Sequence, residues 1–260
     1  MARSGACRIN ARVKPARPTR HGVARVLSKV GLCSRSEAAR RVKEGRVEVN
    51  GRCVLDPEFP CDANSDRILV DGQPLRAAPR VCIALNKPRG LVTTVADEKG
   101  RETVYRCLVD VGVEWLAPVG RLDKASEGLL LFTNDPAFAA RITDPSSGPL
   151  KTYHVQVDGI PGAPMLDRMV EGIADDGDVL RAAAVTLLRQ GQRNAWLEVV
   201  LDEGRNRHIR RLLAALGLEV LRLVRVAIGP VLLGDLAKGT WRALAPHEIA
   251  QLQSGSSGHD

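Results

Sequence analysis

The chain has 260 residues, room for one large domain or for a small and a medium one, and with only 3% aromatic residues its core must be built from Leu, Val, Ile and Ala. No run of about 18 apolar residues occurs, so no membrane-spanning helix is expected, and no apolar signal-peptide core stands near the N-terminus. The net charge of +8 is lopsided: residues 1–80 hold 17 Lys/Arg against 8 Asp/Glu (+9) and residues 81–260 hold 21 against 22 (−1), which points to a polyanion-binding module joined to a nearly neutral body.

Residues 1–21 are basic, contain Pro15 and Pro18 and lack any acid, and read as a disordered tail. An organellar transit peptide would share that composition, but the two prolines spoil an amphipathic helix. From Val23 the pattern changes. Val23, Val26, Leu27 and Val30 recur at helical spacing and Gly31 stops the run. A second helix follows Ser34 or Ser36, with Glu37 placed as in a capping box and Ala38, Ala39 and Val42 as its apolar stripe. Arg35, Arg40, Arg41, Lys43 and Arg46 cluster on and around that helix, a footprint suited to sequence-blind phosphate contacts, and nearby only Glu37 and Glu44 offset them. Val47–Val49 and Ile68–Val70 read as strands, each followed by a turn dipeptide, Asn50-Gly51 and Asp71-Gly72. The run Arg25 to Arg40 followed by Gly45 to Gly51 resembles the alpha-L (S4-like) RNA-binding fold of a small-subunit ribosomal protein. The module is placed at residues 22–79, with 76–80 as a linker zone.

Beyond it, Val81–Leu85 begins a buried strand, Asn86-Lys87-Pro88-Arg89-Gly90 a turn and Leu91–Val95 another strand. Further strands are expected at Thr152–Val157, Val185–Leu188, Trp196–Leu201 and Val220–Ile228, and helices at Ala137–Ile142, Met165–Glu171 and Asn206–Leu216. Strands outnumber helices and are mostly joined by turns, so the fold class is α+β with a mainly antiparallel sheet over residues 80–253 and a flexible tail at 254–260. The six cysteines (Cys7, Cys33, Cys53, Cys61, Cys82, Cys107) form no Cys-x-x-Cys pair and have no His at ligand spacing. They read as reduced thiols of a cytoplasmic protein, several of them buried, and neither a metal site nor a cofactor loop is expected.

Three motifs carry chemistry. In the run from Gly120 to Asp135, a polar loop with Asp123 between Arg121 and Lys124 stands between apolar strand-like segments, Trp115–Val119 and Leu129–Phe132. A carboxylate among cations stays ionised and can serve as nucleophile or base, although a surface ion pair would look the same in sequence. Lys151-Thr152-Tyr153-His154-Val155 places one of the chain's two tyrosines in a strand. Glu203 to Leu213 turns at Gly204 into a helix that Asn206 could cap, with Ile209, Leu212, Leu213 and Leu216 on its apolar side.

These motifs, with Asn86 to Gly90, Arg225 to Pro230 and Gly239 to Leu244, fall in one order and resemble those of the pseudouridine synthases of the RsuA type, which modify ribosomal RNA. The resemblance spans roughly residues 22–252. It implies isomerisation of uridine to pseudouridine without a cofactor, with the target nucleotide flipped into a pocket. It makes Asp123 the catalytic carboxylate, Tyr153 the plate under the uracil, Arg210 the cation paired with Asp123 and Ile209 an apolar wall. Lys87 and Pro88 become braces of the Asp123 loop. Arg121, Arg205, Arg207 and Arg211 are candidate substrate contacts, and His208 stands where the family more often has Gln. The implied partner is ribosomal RNA, engaged by a monomer. A non-catalytic ribosome-assembly factor would explain the basic N-terminal third but not the Asp123–Tyr153–Arg210 set, and a phosphate-ester hydrolase using Asp123 would lack its metal ligands.

Overall fold

The computed structural model describes residues 20–254 apart from Ala96 and Glu98. The expected tails therefore lie, but for Arg20, His21 and Ser254, outside the described residues, as does Cys7. The described residues divide into two compact units: one comprises those up to Leu27 and Arg35–Leu75, the other Ser28–Ser34 and those from Arg76 onward.

The smaller unit runs β1 (His21–Gly22), α1 (Val23–Lys29), α2 (Arg35–Lys43), β2 (Val47–Val49), β3 (Arg52–Cys53), β4 (Pro60–Cys61), β5 (Ile68–Val70) and β6 (Gln73–Pro74). α1 buries Val23, Ala24, Val26 and Leu27, and α2 buries Ala38 and Val42, so the helical periodicity of the sequence is also the packing face. β1 pairs with β4, and a second sheet has the order β3-β2-β5-β6. Its tight turns carry left-handed φ at both central residues, 53° and 78° at Asn50 and Gly51, 52° and 74° at Asp71 and Gly72. That is the type I′ geometry whose twist matches the flanking strands.

The larger unit continues with β7 (Cys82–Lys87), β8 (Ala117–Val119), β9 (Glu127–Thr133), α3 (Pro136–Thr143), β10 (Lys151–Asp158), α4 (Ala163–Glu171), β11 (Ile173–Asp175), β12 (Asp178–Leu180), β13 (Ala184–Gln190), β14 (Asn194–Leu201), α5 (His208–Ala214), β15 (Glu219–Ile228), β16 (Val231–Leu232), β17 (Trp241–Ala243) and α6 (Pro246–Ser254). Its main sheet has the order β13-β14-β10-β15-β9-β7-β17, with β8 on β9 and β16 on β15. The joins are antiparallel except that between β9 and β15, where Val224 faces Glu127 and Arg225 faces Gly128. Gly128 is obligatory there: its φ is +101° and a Cβ would stand 2.3 Å from the Arg225 carbonyl oxygen.

Alternation sorts the side chains. β14 turns Ala195, Leu197, Val199 and Leu201 into a core completed by Met169 of α4 and by Ile209, Leu212 and Leu213 of α5. All seven residues of β9 are buried, because Leu129 and Leu131 pack with α3 and α6 on one face while Leu130 and Phe132 pack with Ile83, Leu85 and Leu122 on the other. No helix of the described residues is long and apolar enough to cross a membrane.

Two sequence expectations differ locally. Leu91–Val95 forms no strand beyond a single bridge from Val92 to Thr103. Leu91 and Val92 are buried as a strand's would be, but the Thr93 hydroxyl donates to the Leu122 carbonyl (2.8 Å) and ties the segment to a loop instead of a ladder. The helix expected from Asn206 begins at His208. Arg207 is its N-cap residue, in left-handed conformation (φ 50°) and with no side-chain capping bond, so Asn206 does not cap it.

Candidate active site

The loop from Gly120 to Ser126 connects β8 to β9 and is held from beneath. Lys87, the last residue of β7, is wholly buried, and its Nζ donates to the carbonyls of Ser126 (2.8 Å), Asp123 (3.1 Å) and Pro88 (3.2 Å). The Gly90 N–H adds a bond to the Lys124 carbonyl (2.7 Å), and the Ser126 N–H bonds the Asp123 carbonyl (3.0 Å). The Asp123 carbonyl is thus fixed by one ammonium bond and a turn, with the carbonyl of Ser126 held by the same ammonium, which leaves the Asp123 carboxylate as the free end. Burial pushes the Lys87 ammonium down to about 8, against the opposing pull of Asp123 and Glu127. Replacing Lys87 by Met leaves three carbonyls beside an apolar stem. We expect Lys87→Met to lower unfolding free energy by about 2–4 kcal/mol, read by urea titration. A change below about 0.5 kcal/mol would show that the loop does not depend on these bonds.

Across from the loop, β10, the β14–α5 connection, α5 and β15 complete a cavity of about 470 Å³. Asp123, Tyr153, Ile209 and Arg210 line it, together with Arg121, Arg205 and Arg207. Arg210 is half-buried. Its guanidinium donates to the Ala125 and Val220 carbonyls (each 3.4 Å), while its Nε is buried without a partner. Burial and then Arg207 disfavour its charge, and Asp123 favours it. The expected direct pair does not form within 4.0 Å: Arg210 reaches the loop through the carbonyl of Ala125, and it feels Asp123 through space.

Arg211 departs from expectation. It does not line the cavity. Its Nε donates to Asp175 (2.6 Å) and its terminal nitrogens to Asp178 (3.1 Å), clamping the β11–β12 hairpin to α5. Two carboxylates already neutralise it, so it is corrected from substrate contact to structural clamp. Arg205 lines the cavity but is shared with Asp178 (2.6 Å) and Glu203 (2.9 Å).

His208 is 3% exposed, and its Nδ1 lies 3.9 Å from Glu203 Oε1. Neither ring nitrogen makes a hydrogen bond of normal length; Glu203, the Arg181 backbone and Asp202 favour its charged form, and Arg205 opposes it. Burial, the leading cause, pushes its pKa down. The unfolded chain therefore binds a proton near pH 6.5 that the folded chain resists, so stability from neutral His208 is present above that pH and is lost as pH falls below it. His208→Gln should flatten the loss between pH 7 and pH 5, which in the native chain amounts to at most about 1.4 kcal/mol per pH unit from this residue. Parallel stability-against-pH curves for the two proteins would refute that role.

Sequence reasoning missed two cavity cations. Lys151 opens β10 and Arg225 sits on β15 opposite Tyr153, and both line the cavity. Arg225 is buried, and its Nε donates to the Leu129 carbonyl (2.7 Å). The signal was available: Arg225 stands two residues after inward-facing Leu223, and Lys151 two before Tyr153, so strand alternation turns both inward.

In the smaller unit the expected RNA-binding cations are offset by more acids than local sequence suggested. Arg40 pairs with Glu37 and Glu44, Arg41 with Glu37, Arg46 with Glu44 and Asp71, and Arg35 with Glu58. Glu58 and Asp71 are brought in by β-strand topology. Lys43 is exposed.

Comparison with known proteins agrees with this architecture. The RNA pseudouridylate synthase family matches residues 81–215, and the S4 domain matches residues 23–68. An RNA pseudouridine synthase of Aquifex aeolicus (strain VF5), itself uncharacterized, is 38% identical over 87% of this chain and 91% of its own. The ribosomal large subunit pseudouridine synthase B of Bacillus subtilis (strain 168) is 35% identical over 88% of this chain and 94% of its own. A crystal structure of a pseudouridylate synthase superposes with a TM-score of 0.63 at 29% identity, covering 90% of this chain and 99% of that one. An S4 domain ahead of a mainly antiparallel synthase domain, with matches of this extent to both, makes the chain a member of the RNA pseudouridine synthase family, of the RsuA type.

Proposed function

We propose that this enzyme converts a specific uridine of ribosomal RNA to pseudouridine, with the target nucleotide flipped into the cavity and Asp123 acting as nucleophile or base. The observation that carries the reading is the convergence of Asp123, Tyr153 and Arg210 on one cavity of about 470 Å³, a size suited to a small ligand such as a nucleoside. In an RNA helix the major groove is too narrow for a side chain to reach C5, and stacking and pairing hold the base still, so the base must leave the helix to be turned and rejoined at carbon. Tyr153 supplies the plate on which the base stacks and Ile209 the apolar wall. Arg210 supports the charge of Asp123, and Arg121 and Arg207 meet the RNA backbone at the mouth. The B. subtilis relative, named for the large ribosomal subunit, supports ribosomal RNA as the substrate class. The protein acts as a monomer in the cytoplasm, without a required partner protein.

The test is chemical mapping of pseudouridine across both ribosomal RNAs from cells with and without the gene. One uridine that loses its modification, and regains it on complementation, is the expected result. Unchanged maps would remove ribosomal RNA as the substrate.

The S4 unit contributes affinity through phosphate neutralisation, which is read as salt dependence. Exchanging Arg35 and Lys43 for Gln should reduce the slope of log affinity against log salt by about one to two while single-turnover rate at saturating RNA stays the same. Equal slopes would place these two cations outside the RNA contact.

A further inference from the structure

Arg225 is the least explained residue of the cavity. It is 5% exposed, its Nε is occupied by the Leu129 carbonyl, and its Nη2 is buried with no hydrogen-bond partner. A guanidinium donor stranded in this way is costly, and native proteins rarely keep one without use. Its backbone is equally constrained, since Gly128 exists as glycine to let the Arg225 main chain pass. Arg225 is the cross-strand partner of Tyr153, so the two side chains spring from neighbouring positions in the cavity wall. Lys151 lies two residues before Tyr153 on the same face of β10, and its charge is disfavoured first by burial and next by Arg225 itself. Asp202 opposes these effects, yet its own Oδ1 is buried without a partner. Two cations held together in the wall of a cavity form a site built for an acceptor.

We infer that Arg225, with Lys151 beside it, is a cationic floor that hydrogen-bonds the carbonyl oxygens of the flipped uracil and takes up the negative charge the base acquires during the reaction. The inference rests on the proposed flipping of a uridine into this cavity. Arg and Lys side chains offer donors only. Uracil presents two carbonyl oxygens to such donors, whereas cytosine would turn an amino group against them. The floor thus favours uracil before any bond breaks.

Its larger effect comes later. If Asp123 attacks the anomeric carbon, the N1–C1′ bond breaks, its electron pair goes to the base and the charge spreads to O2 and O4. If Asp123 adds to C6 of the ring, the displaced pair passes through C5 to O4. In both routes the oxygens become more negative than in the substrate, and charge-assisted donors fixed beside them stabilise the transition state more than the ground state. In either route the N1–C1′ bond is broken before C5 bonds C1′, the bond from Asp123 to C1′ or C6 then breaks with its electron pair returning to the carboxylate, C5 loses its proton and N1 gains one, so the isomerisation balances without a redox partner.

The test uses the full-length protein and unmodified small- and large-subunit ribosomal RNA carrying tritium at uridine C5, which is released when C5 bonds the sugar. Arg225→Met should lower the single-turnover rate about 100-fold and leave RNA affinity within about threefold of wild type. Arg225→Lys, which keeps the charge, should recover at least about tenfold of that loss, and Lys151→Met should cost about tenfold. Circular dichroism and thermal melting establish that the variants fold. If Arg225→Met does not fold, Lys151→Met, nearer solvent, carries the same prediction. A folded variant pair whose rates stay within about threefold of wild type overturns the floor, as does a loss of rate matched by an equal loss of affinity. A wild-type protein that releases no tritium from either RNA overturns the ribosomal reading and this inference with it.

Discussion

Asp123→Asn should abolish isomerisation, with a single-turnover rate at least about 10⁴-fold below wild type, while RNA affinity stays within about threefold. The amide is nearly isosteric with the carboxylate, but it is neither a nucleophile nor a base. The loop should not move, because its geometry is set by main-chain carbonyls: Lys87 holds those of Asp123 and Ser126, and the Asp123 side chain takes no part in those bonds. Tritium release and filter binding on the same RNA decide the matter. Activity within tenfold of wild type would remove Asp123 from the mechanism.

Arg210→Ala should cost turnover about 10²- to 10³-fold and affinity little, because its guanidinium is aimed at the loop and not at solvent. Removing it takes a donor from the Ala125 carbonyl and the nearby positive field from Asp123, leaving the carboxylate both less well placed and less stabilised. Arg211→Ala serves as the contrast. That residue holds Asp175 and Asp178, so its loss should lower the melting temperature by freeing the β11–β12 hairpin and leave turnover of the folded protein nearly unchanged. The reverse kinetic pattern would exchange the two assignments.

Much of this arrangement could be read from residue order. β10, β14 and β15 announce themselves by alternation, α1 and α2 by apolar residues three and four apart, and the Asn50-Gly51 and Asp71-Gly72 turns by residues that tolerate left-handed φ. Each is a local rule with a local cause. Leu91–Val95 misled because β-branched, apolar composition reports burial, and a buried loop satisfied by a Thr93 side chain is buried too. The ion pairs were invisible for a different reason. Arg211 with Asp175 and Asp178, or Arg46 with Asp71, are partners separated by tens of residues, and no periodicity links them. Lys151 and Arg225 were legible in principle, as cations at inward register positions, but a charged residue in a strand suggests the solvent face until the neighbours of that strand are known.

The single parallel join of the main sheet also bears on how the enzyme comes into being. The Asp123 loop leads into β9, and β9 is flanked by β7, made earlier, and by β15, made almost a hundred residues later. Closing so long a loop is entropically slow compared with forming the hairpins on either side. On the ribosome, a chain that has emerged as far as β14 already contains Asp123, Tyr153 and Arg121 but lacks α5 with Ile209 and Arg210, and lacks β15, the strand that Gly128 was shaped to admit. On the proposed mechanism, catalytic competence is expected late in synthesis, when Arg225 docks beside Gly128, and a nascent chain shorter than that should be inert toward the RNA around it.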